Sequence, residues 1–288
     1  MTMSNLKEKL LGVWKAVKHE FTRLDRTCNN CGREIFGGDT VAEKYFCKDC
    51  AENLPFNNGF VCSHCGRRTV APTELCDDCT GFESSFARAR SPFYYAPPVD
   101  KLIRDTKFEN RRYLAEVLGS FAADTFEKNF SDADMITFVP MSAKERKAKG
   151  YNHAELICRS ISKLTGARQE ETIVKVAETD RQARLGRNDR LKNLKSVFKV
   201  RNKALIEGKT VVLTDDVLTT GATAEACSAA LIKGGAKRVY VLTIASVTDP
   251  KVARALGQET GGIKNSLKKR ARKLSKNAER KPSDKKRK

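Results

Sequence analysis

Eight of the ten cysteines fall into four C-x-x-C pairs, Cys28/Cys31, Cys47/Cys50, Cys62/Cys65 and Cys76/Cys79, all within residues 27–82. A segment of 56 residues buries too little apolar surface to hold itself together, so its folding energy must come from another source. The spacings name one. They run C-x2-C, fifteen residues, C-x2-C, then eleven residues, then C-x2-C, ten residues, C-x2-C. A two-residue gap lets both sulfurs of a knuckle face one ion, and each half offers the four thiolates of a closed tetrahedral zinc site. Two structural zinc ions are expected. Sequential use of the pairs gives two ribbons, and interleaved use gives a cross-brace; the spacing leaves both open. His64 lies inside the third knuckle, but four thiols are already present, so it is expected to stand by.

The thiols read as metal ligands because nothing at the N-terminus marks the chain for export. MTMSNLKEKLLGVWKAVKHEF lacks an uninterrupted apolar core and a small-residue cleavage site. No apolar run approaches the roughly 18 residues that span a bilayer. Hydrophobic content of 40% and charged content of 31% fit a soluble globular protein with charged appendages, expected in the cytoplasm.

Net charge is +20, and two segments account for it: residues 251–288 carry +12 and residues 181–203 carry +8. Concentrated positive charge favours polyanions such as nucleic acid, and it also fits a solvated tail. The cysteine-rich segment is different. It carries −3, and two zinc–tetrathiolate centres would take it to about −7. That is a poor unaided phosphate binder, so a structural or docking role is expected, with Tyr45, Phe46, Phe56 and Phe60 used in packing rather than base stacking.

Further organisation follows from periodicity. Residues 5–24 place Leu6, Leu10, Val13, Val17, Phe21 and Leu24 on one helical face, suited to docking on the rest of the chain or on a partner. Residues 85–96 alternate as a strand. Helices are expected at 99–107, 112–128, 153–164 and 222–233, and strands at 134–140, 172–176, 209–216 and 238–246, with a polar, basic connection at 181–195. Strands alternating with helices predict an α/β fold with a mainly parallel sheet flanked by helices. The expected domains are an amphipathic helix (1–26), a double zinc ribbon (27–82), an α/β domain (83–250) and a basic, disordered tail (251–288). No long polar linker divides ribbon from α/β domain, so the two are expected to dock.

The chemistry concentrates in VVLTDDVLTTGAT, residues 211–223. A strand that runs into a loop and then a helix places that loop at the carboxyl edge of the sheet, where open α/β folds bind ligands. Thr219, Thr220, Gly221, Ala222 and Thr223 supply backbone N–H groups, hydroxyls and a helix N-terminus, which together suit a terminal phosphate. Asp215 and Asp216 would repel that phosphate unless they address sugar hydroxyls or a Mg²⁺ hydration shell. The site asks for a ribose 5-phosphate with free hydroxyls.

This segment closely resembles the 5-phosphoribosyl-1-pyrophosphate (PRPP) signature of type I phosphoribosyltransferases. The resemblance implies that Asp215 and Asp216 hold ribose hydroxyls, directly or through metal-bound water, and that residues 219–223 hold the 5-phosphate. FVPMSAKERKAKGYNHAEL (138–156) and DRQARLGRNDRLKNLKSVFKV (180–200) are similar to two stretches of the ComF competence family, which also carries an N-terminal cysteine-rich ribbon. Met141-Ser142, Lys149 and His153 depart from that family's pattern. The implied assignments are Lys144, Arg146 and Lys147 on the loop after Pro140 for the pyrophosphate, with Asn152, Gln182, Arg187, Arg190 and Asn193 as lid and substrate contacts. His153 reads either as a polar contact or acid–base group, or as the cap of the following helix.

Three functions fit these expectations. One is phosphoribosyl transfer from PRPP–Mg²⁺ to an unidentified nitrogen. Another is a non-catalytic single-stranded-DNA module of natural transformation that keeps PRPP as a ligand and works with DNA-uptake proteins. The third is PRPP-responsive regulation. A nucleotide-salvage phosphoribosyltransferase is a further alternative and a poorer fit, since it would not carry the ribbon.

Overall fold

The structure is a computed structural model and describes residues 27–177 and 197–257. The expected helix at 5–24, the lid residues Gln182, Arg187, Arg190 and Asn193, and the tail from residue 258 lie outside the described residues.

In chain order, the cysteine-rich segment holds two single-turn helices, α1 (Val41–Tyr45) and α2 (Lys48–Glu52). Then come strands β1 (Arg88–Arg90) and β2 (Phe93–Tyr94), helices α3 (Val99–Phe108) and α4 (Leu114–Asn129), and strand β3 (Met135–Phe138). Helices α5 (Ala143–Lys149) and α6 (His153–Thr165) follow, with strands β4 (Ile173–Lys175) and β5 (Phe198–Val200). The chain continues through β6 (Thr210–Leu218), α7 (Ala222–Lys233), β7 (Arg238–Ser246) and α8 (Pro250–Ala255).

Burial on both faces decides which strands are central. Val211, Val212 and Leu213 of β6 and Val239, Val241, Leu242 and Ile244 of β7 have no exposed surface, and these two strands pair in the middle of the sheet. β3 pairs parallel with β6, while β1 and β2 both pair parallel with β7. The expected strand at 85–96 is thus two short pieces on one neighbour. They break at Ser91-Pro92, where proline has no N–H to give the ladder. A separate antiparallel pair, β4 with β5, stands off the sheet.

Two cores flank the sheet. One packs α3, α4 and α6 against Val212, Leu242 and Ile244; the other packs α7 and the β4–β5 pair against Val211, Leu213 and Val241. The cysteine-rich segment divides between them. Cys28, Ile35, Phe46 and Leu54 join the first core beside Phe93 and Phe121, and Cys62, Cys65 and Cys79 join the second beside Phe86 and Ala89. One ribbon therefore docks on each face at the β1–β2 edge. Tyr45, Phe46 and Phe56 pack, as expected, whereas Phe60 is more than half exposed. No helix among the described residues is long and apolar enough to cross a membrane.

Candidate functional site

β3 runs parallel to β6 and ends opposite Thr214, so the loop after Phe138 lies beside the acids in the last part of β6. The Val139 N–H donates to the Thr214 carbonyl at 3.0 Å, which brings Pro140 beside the acid pair. Residues alternate across a strand, so Asp215 and Asp216 leave β6 towards different faces. Asp216 meets α3 and α6. Lys107 Nζ lies 2.5 Å and His153 Nε2 3.6 Å from its Oδ2, and only 8% of the Asp216 side chain is exposed. Burial alone would raise the Asp216 carboxyl, but the Lys107 ammonium, with His153 beside it, holds it well below the carboxylate range. At His153 burial outweighs the same carboxylate and lowers the basicity of the ring. Asp215 Oδ1 accepts the Asp216 N–H at 2.8 Å. Burial, with repulsion from Asp216, pushes the Asp215 carboxyl up to about 7.

Lys107 is held in place by its neighbours. Tyr151 donates its hydroxyl to the Thr106 carbonyl at 2.6 Å, which ties the end of α3 to the segment leading into α6. Asn152 caps α6, accepting from the Ala154 N–H at 3.0 Å, and donates to the Val139 carbonyl at 2.9 Å. The cap is therefore Asn152, not His153, which frees the His153 ring to face Asp216. Both polar ends of Asn152 serve the fold and the residue is buried, so it does not stand among the open contacts expected of a lid.

Past the acids, the chain turns at Gly221 with φ +79°, a conformation that glycine adopts without Cβ strain, and α7 begins at Ala222. Gly221 at the cap has no side chain to offer, and the Ala222 N–H is met at 3.4 Å by the Thr220 hydroxyl. The first backbone N–H groups of a helix have no intrahelical acceptor. Thr220, Ala222 and Thr223 thus lie at the positive end of the helix dipole, a few residues past the acid pair in the chain.

Lys144, Arg146 and Lys147 stand on α5, a helix where a loop was expected. Ser142 and Glu145 form its capping box, and Lys175 pairs with Glu145 at 3.1 Å. Arg146 is taken up by Glu155 at 2.7 Å and Glu171 at 3.7 Å, while Lys144 and Lys147 are exposed.

The eight paired cysteines form two four-sulfur groups, Cys28, Cys31, Cys47 and Cys50, and Cys62, Cys65, Cys76 and Cys79. The pairing is sequential, and His64 is in neither group; it stacks on Phe86 at 4.8 Å. Sγ atoms of Cys31 and Cys47 lie 3.7 Å apart and those of Cys65 and Cys76 3.6 Å. A tetrahedron with Zn–S near 2.3 Å has edges of about 3.8 Å, so both groups fit zinc.

Comparison with known proteins agrees with this division of the chain. A family model described as a double zinc ribbon domain matches residues 23–80, and one described as a phosphoribosyl transferase domain matches residues 156–256. The "DNA utilization protein YhgH" of Salmonella typhimurium is 28% identical over 187 residues, covering 63% of this chain and 82% of that protein. The "Competence protein F" of Haemophilus influenzae is 30% identical over 214 residues, covering 71% of this chain and 92% of that protein. The chain belongs to the ComF family. "Competence protein ComFC" of Bacillus subtilis is 25% identical over 209 residues, covering 69% of this chain and 82% of that protein. Among solved structures, "Structure of the allosteric regulatory enzyme of purine biosynthesis" overlaps with a TM-score of 0.33 at 20% identity, over 46% of this chain and 26% of that one. The fold is that of type I phosphoribosyltransferases, preceded by a double zinc ribbon.

In this ComF-family chain the fold brings together Asp215, Asp216 and His153, with the 219–223 loop following the acids in the chain. It adds a residue that periodicity had placed at the end of the helix expected at 99–107. Lys107 had no motif to mark it; its only sequence signal is a position in the last turn of α3, just ahead of the aromatic Phe108.

Proposed function

We propose that this chain binds PRPP with Mg²⁺ at the carboxyl edge of β3 and β6, and that it serves the handling of DNA taken up by the cell. The loop of Thr219, Thr220, Gly221, Ala222 and Thr223 holds the 5-phosphate. Asp215 and Asp216 hold the ribose hydroxyls. One observation carries the reading: a helix N-terminus opened by a left-handed glycine follows directly on a strand that carries two adjacent carboxylates near its end. A phosphate alone would be repelled by that pair; a phosphate separated from it by the length of a ribose would not.

The carboxylate oxygens suit a hard cation, and their ligand atoms and that of His153 lie within 4.8 Å of one another. Mg²⁺ supplies charge neutralisation for the pyrophosphate oxygens. The chain's own cations do the rest. Arg146 is already paired, so the departing oxygens fall to Lys144 and Lys147. Lys107 keeps Asp216 ionised and fixed, which presents a hydroxyl acceptor at no cost in reorganisation. These groups suit transfer of the phosphoribosyl unit to a nitrogen nucleophile.

The DNA assignment rests on relatives named for DNA utilization and competence, and on charge. Residues 251–288 and 181–203 carry the excess cations that a single strand's phosphates would meet. The test is calorimetry of PRPP–Mg²⁺ against the wild-type chain and Asp215→Asn, followed by a pyrophosphate assay with a panel of nitrogen bases. Saturable binding that weakens in the variant supports the reading. Absence of binding removes it, and binding without pyrophosphate release limits it to ligand recognition.

A further inference from the structure

The two ribbons repeat one internal device, and among the described residues one copy of it bonds to the phosphate loop while the other stays within its ribbon. Each has the pattern C-x-x-C-G-R, followed later by an aspartate between the last two cysteines: Cys31-Gly32-Arg33 with Asp49, and Cys65-Gly66-Arg67 with Asp78. In the first ribbon Arg33 pairs with Asp49 at 2.7 Å, and the arginine side chain is 60% exposed. In the second, Arg67 pairs with Asp78 but its side chain is 10% exposed. Its other terminal nitrogen, Nη2, donates to the carbonyl of Thr219, the first residue of the phosphate loop, 152 residues away. Five guanidinium donors in a rigid fork can hold two acceptors at once, which an ammonium on a flexible stem does poorly.

The far side of the loop is gripped as well. Glu225 lies in the first turn of α7 and is buried. Its carboxylate accepts the Ser84 hydroxyl at 2.8 Å, the Ser85 hydroxyl at 2.6 Å and the Ser85 N–H at 3.0 Å. Ser84 and Ser85 follow the last cysteine, Cys79, by a few residues. The second ribbon, through Arg67, and the segment that leads out of it, through Ser84 and Ser85, therefore take hold on both sides of Gly221, the one residue of the loop with free access to many conformations.

We infer that the second zinc ribbon is the clamp of the phosphate loop, with Arg67 as the positioning residue that couples zinc-ribbon integrity to recognition of a sugar 5-phosphate. This rests on the reading of residues 219–223 as a phosphate site and adds how that site is kept in shape. A loop that begins and ends in fixed hydrogen bonds keeps its N–H groups aimed before the ligand arrives, so less order is lost on binding. Among the described residues Arg33 bonds within the first ribbon alone, so that ribbon serves as an internal control.

The test compares wild type, Arg67→Ala, Arg67→Lys and Arg33→Ala as full-length, zinc-loaded chains. Zinc is counted by native mass spectrometry, amide exchange is followed in the peptide over 217–226, and ribose 5-phosphate and inorganic pyrophosphate are titrated separately. Arg67→Ala should keep both zinc ions, exchange roughly tenfold faster over 217–226, and bind ribose 5-phosphate about tenfold more weakly with pyrophosphate binding little changed. Arg67→Lys should restore part of each effect, and Arg33→Ala should match wild type. The clamp is overturned if Arg67→Ala leaves exchange over 217–226 at the wild-type rate, or if Arg33→Ala speeds it equally. Should wild type not bind ribose 5-phosphate at all, the phosphate reading fails while the exchange data still decide the clamp.

Discussion

Replacing Lys107 with methionine would remove the cation from Asp216 while keeping most of the side chain's volume. Nζ stands 2.5 Å from a carboxylate that is 8% exposed, and the lysine side chain is itself 32% exposed. Removing one partner of a fully buried pair costs about 3–5 kcal/mol, because the other charge is left without compensation. Exposure of Lys107 lets water screen and partly replace it, which brings the expected loss to about 2 kcal/mol. Asp216 would then gain protons more readily, since Lys107 is what keeps it ionised. Urea denaturation followed by circular dichroism measures the loss. The double variant Lys107→Met/Asp216→Asn removes the stranded charge and should recover at least about 1 kcal/mol relative to the sum of the single variants. A Lys107→Met variant as stable as wild type, or strictly additive behaviour in the double variant, would refute the claim that this pair is a buried and mutually dependent one.

Other outcomes follow from the same geometry. A Cβ on Gly66 would stand 2.4 Å from the Ala89 carbonyl oxygen at φ +69°, so Gly66→Ala should cost at least about 2 kcal/mol and lower the melting temperature. Cys65→Ser should reduce bound zinc from two ions to one, read by native mass spectrometry, with the first ribbon retained. Truncation after Gly257 removes a segment of net charge +10, and the slope of log K against log salt for single-stranded DNA should become shallower by about one unit or more; an unchanged slope would place DNA contacts elsewhere.

The strands at the centre of the sheet were legible because their signal is two-sided apolarity. Residues 238–246 and 222–233 appear with the bounds that periodicity indicated, and β6 runs two residues further because its acids continue the ladder with β7. The cysteine spacing was legible as two four-thiol sites because ligand geometry is local. Helix α5 was not, since AKERKAK has no apolar face; its only mark was the Ser142–Glu145 capping box, which was read as part of a loop. Lys107, Arg67 and Glu225 were invisible for a different reason. Each is an ordinary charged residue whose burial comes from chain segments far away in sequence; Arg67 shares its C-x-x-C-G-R place with the exposed Arg33, so the pattern did not reveal that one of the two is buried.

The most direct measurement is a crystal structure of the protein soaked with PRPP and Mg²⁺. The 5-phosphate is predicted on the backbone N–H groups of residues 220–223, with the ribose hydroxyls turned to Asp215 and Asp216. Density for the ligand at another edge of the sheet, or a bound ribose whose hydroxyls face away from both acids, would contradict the account.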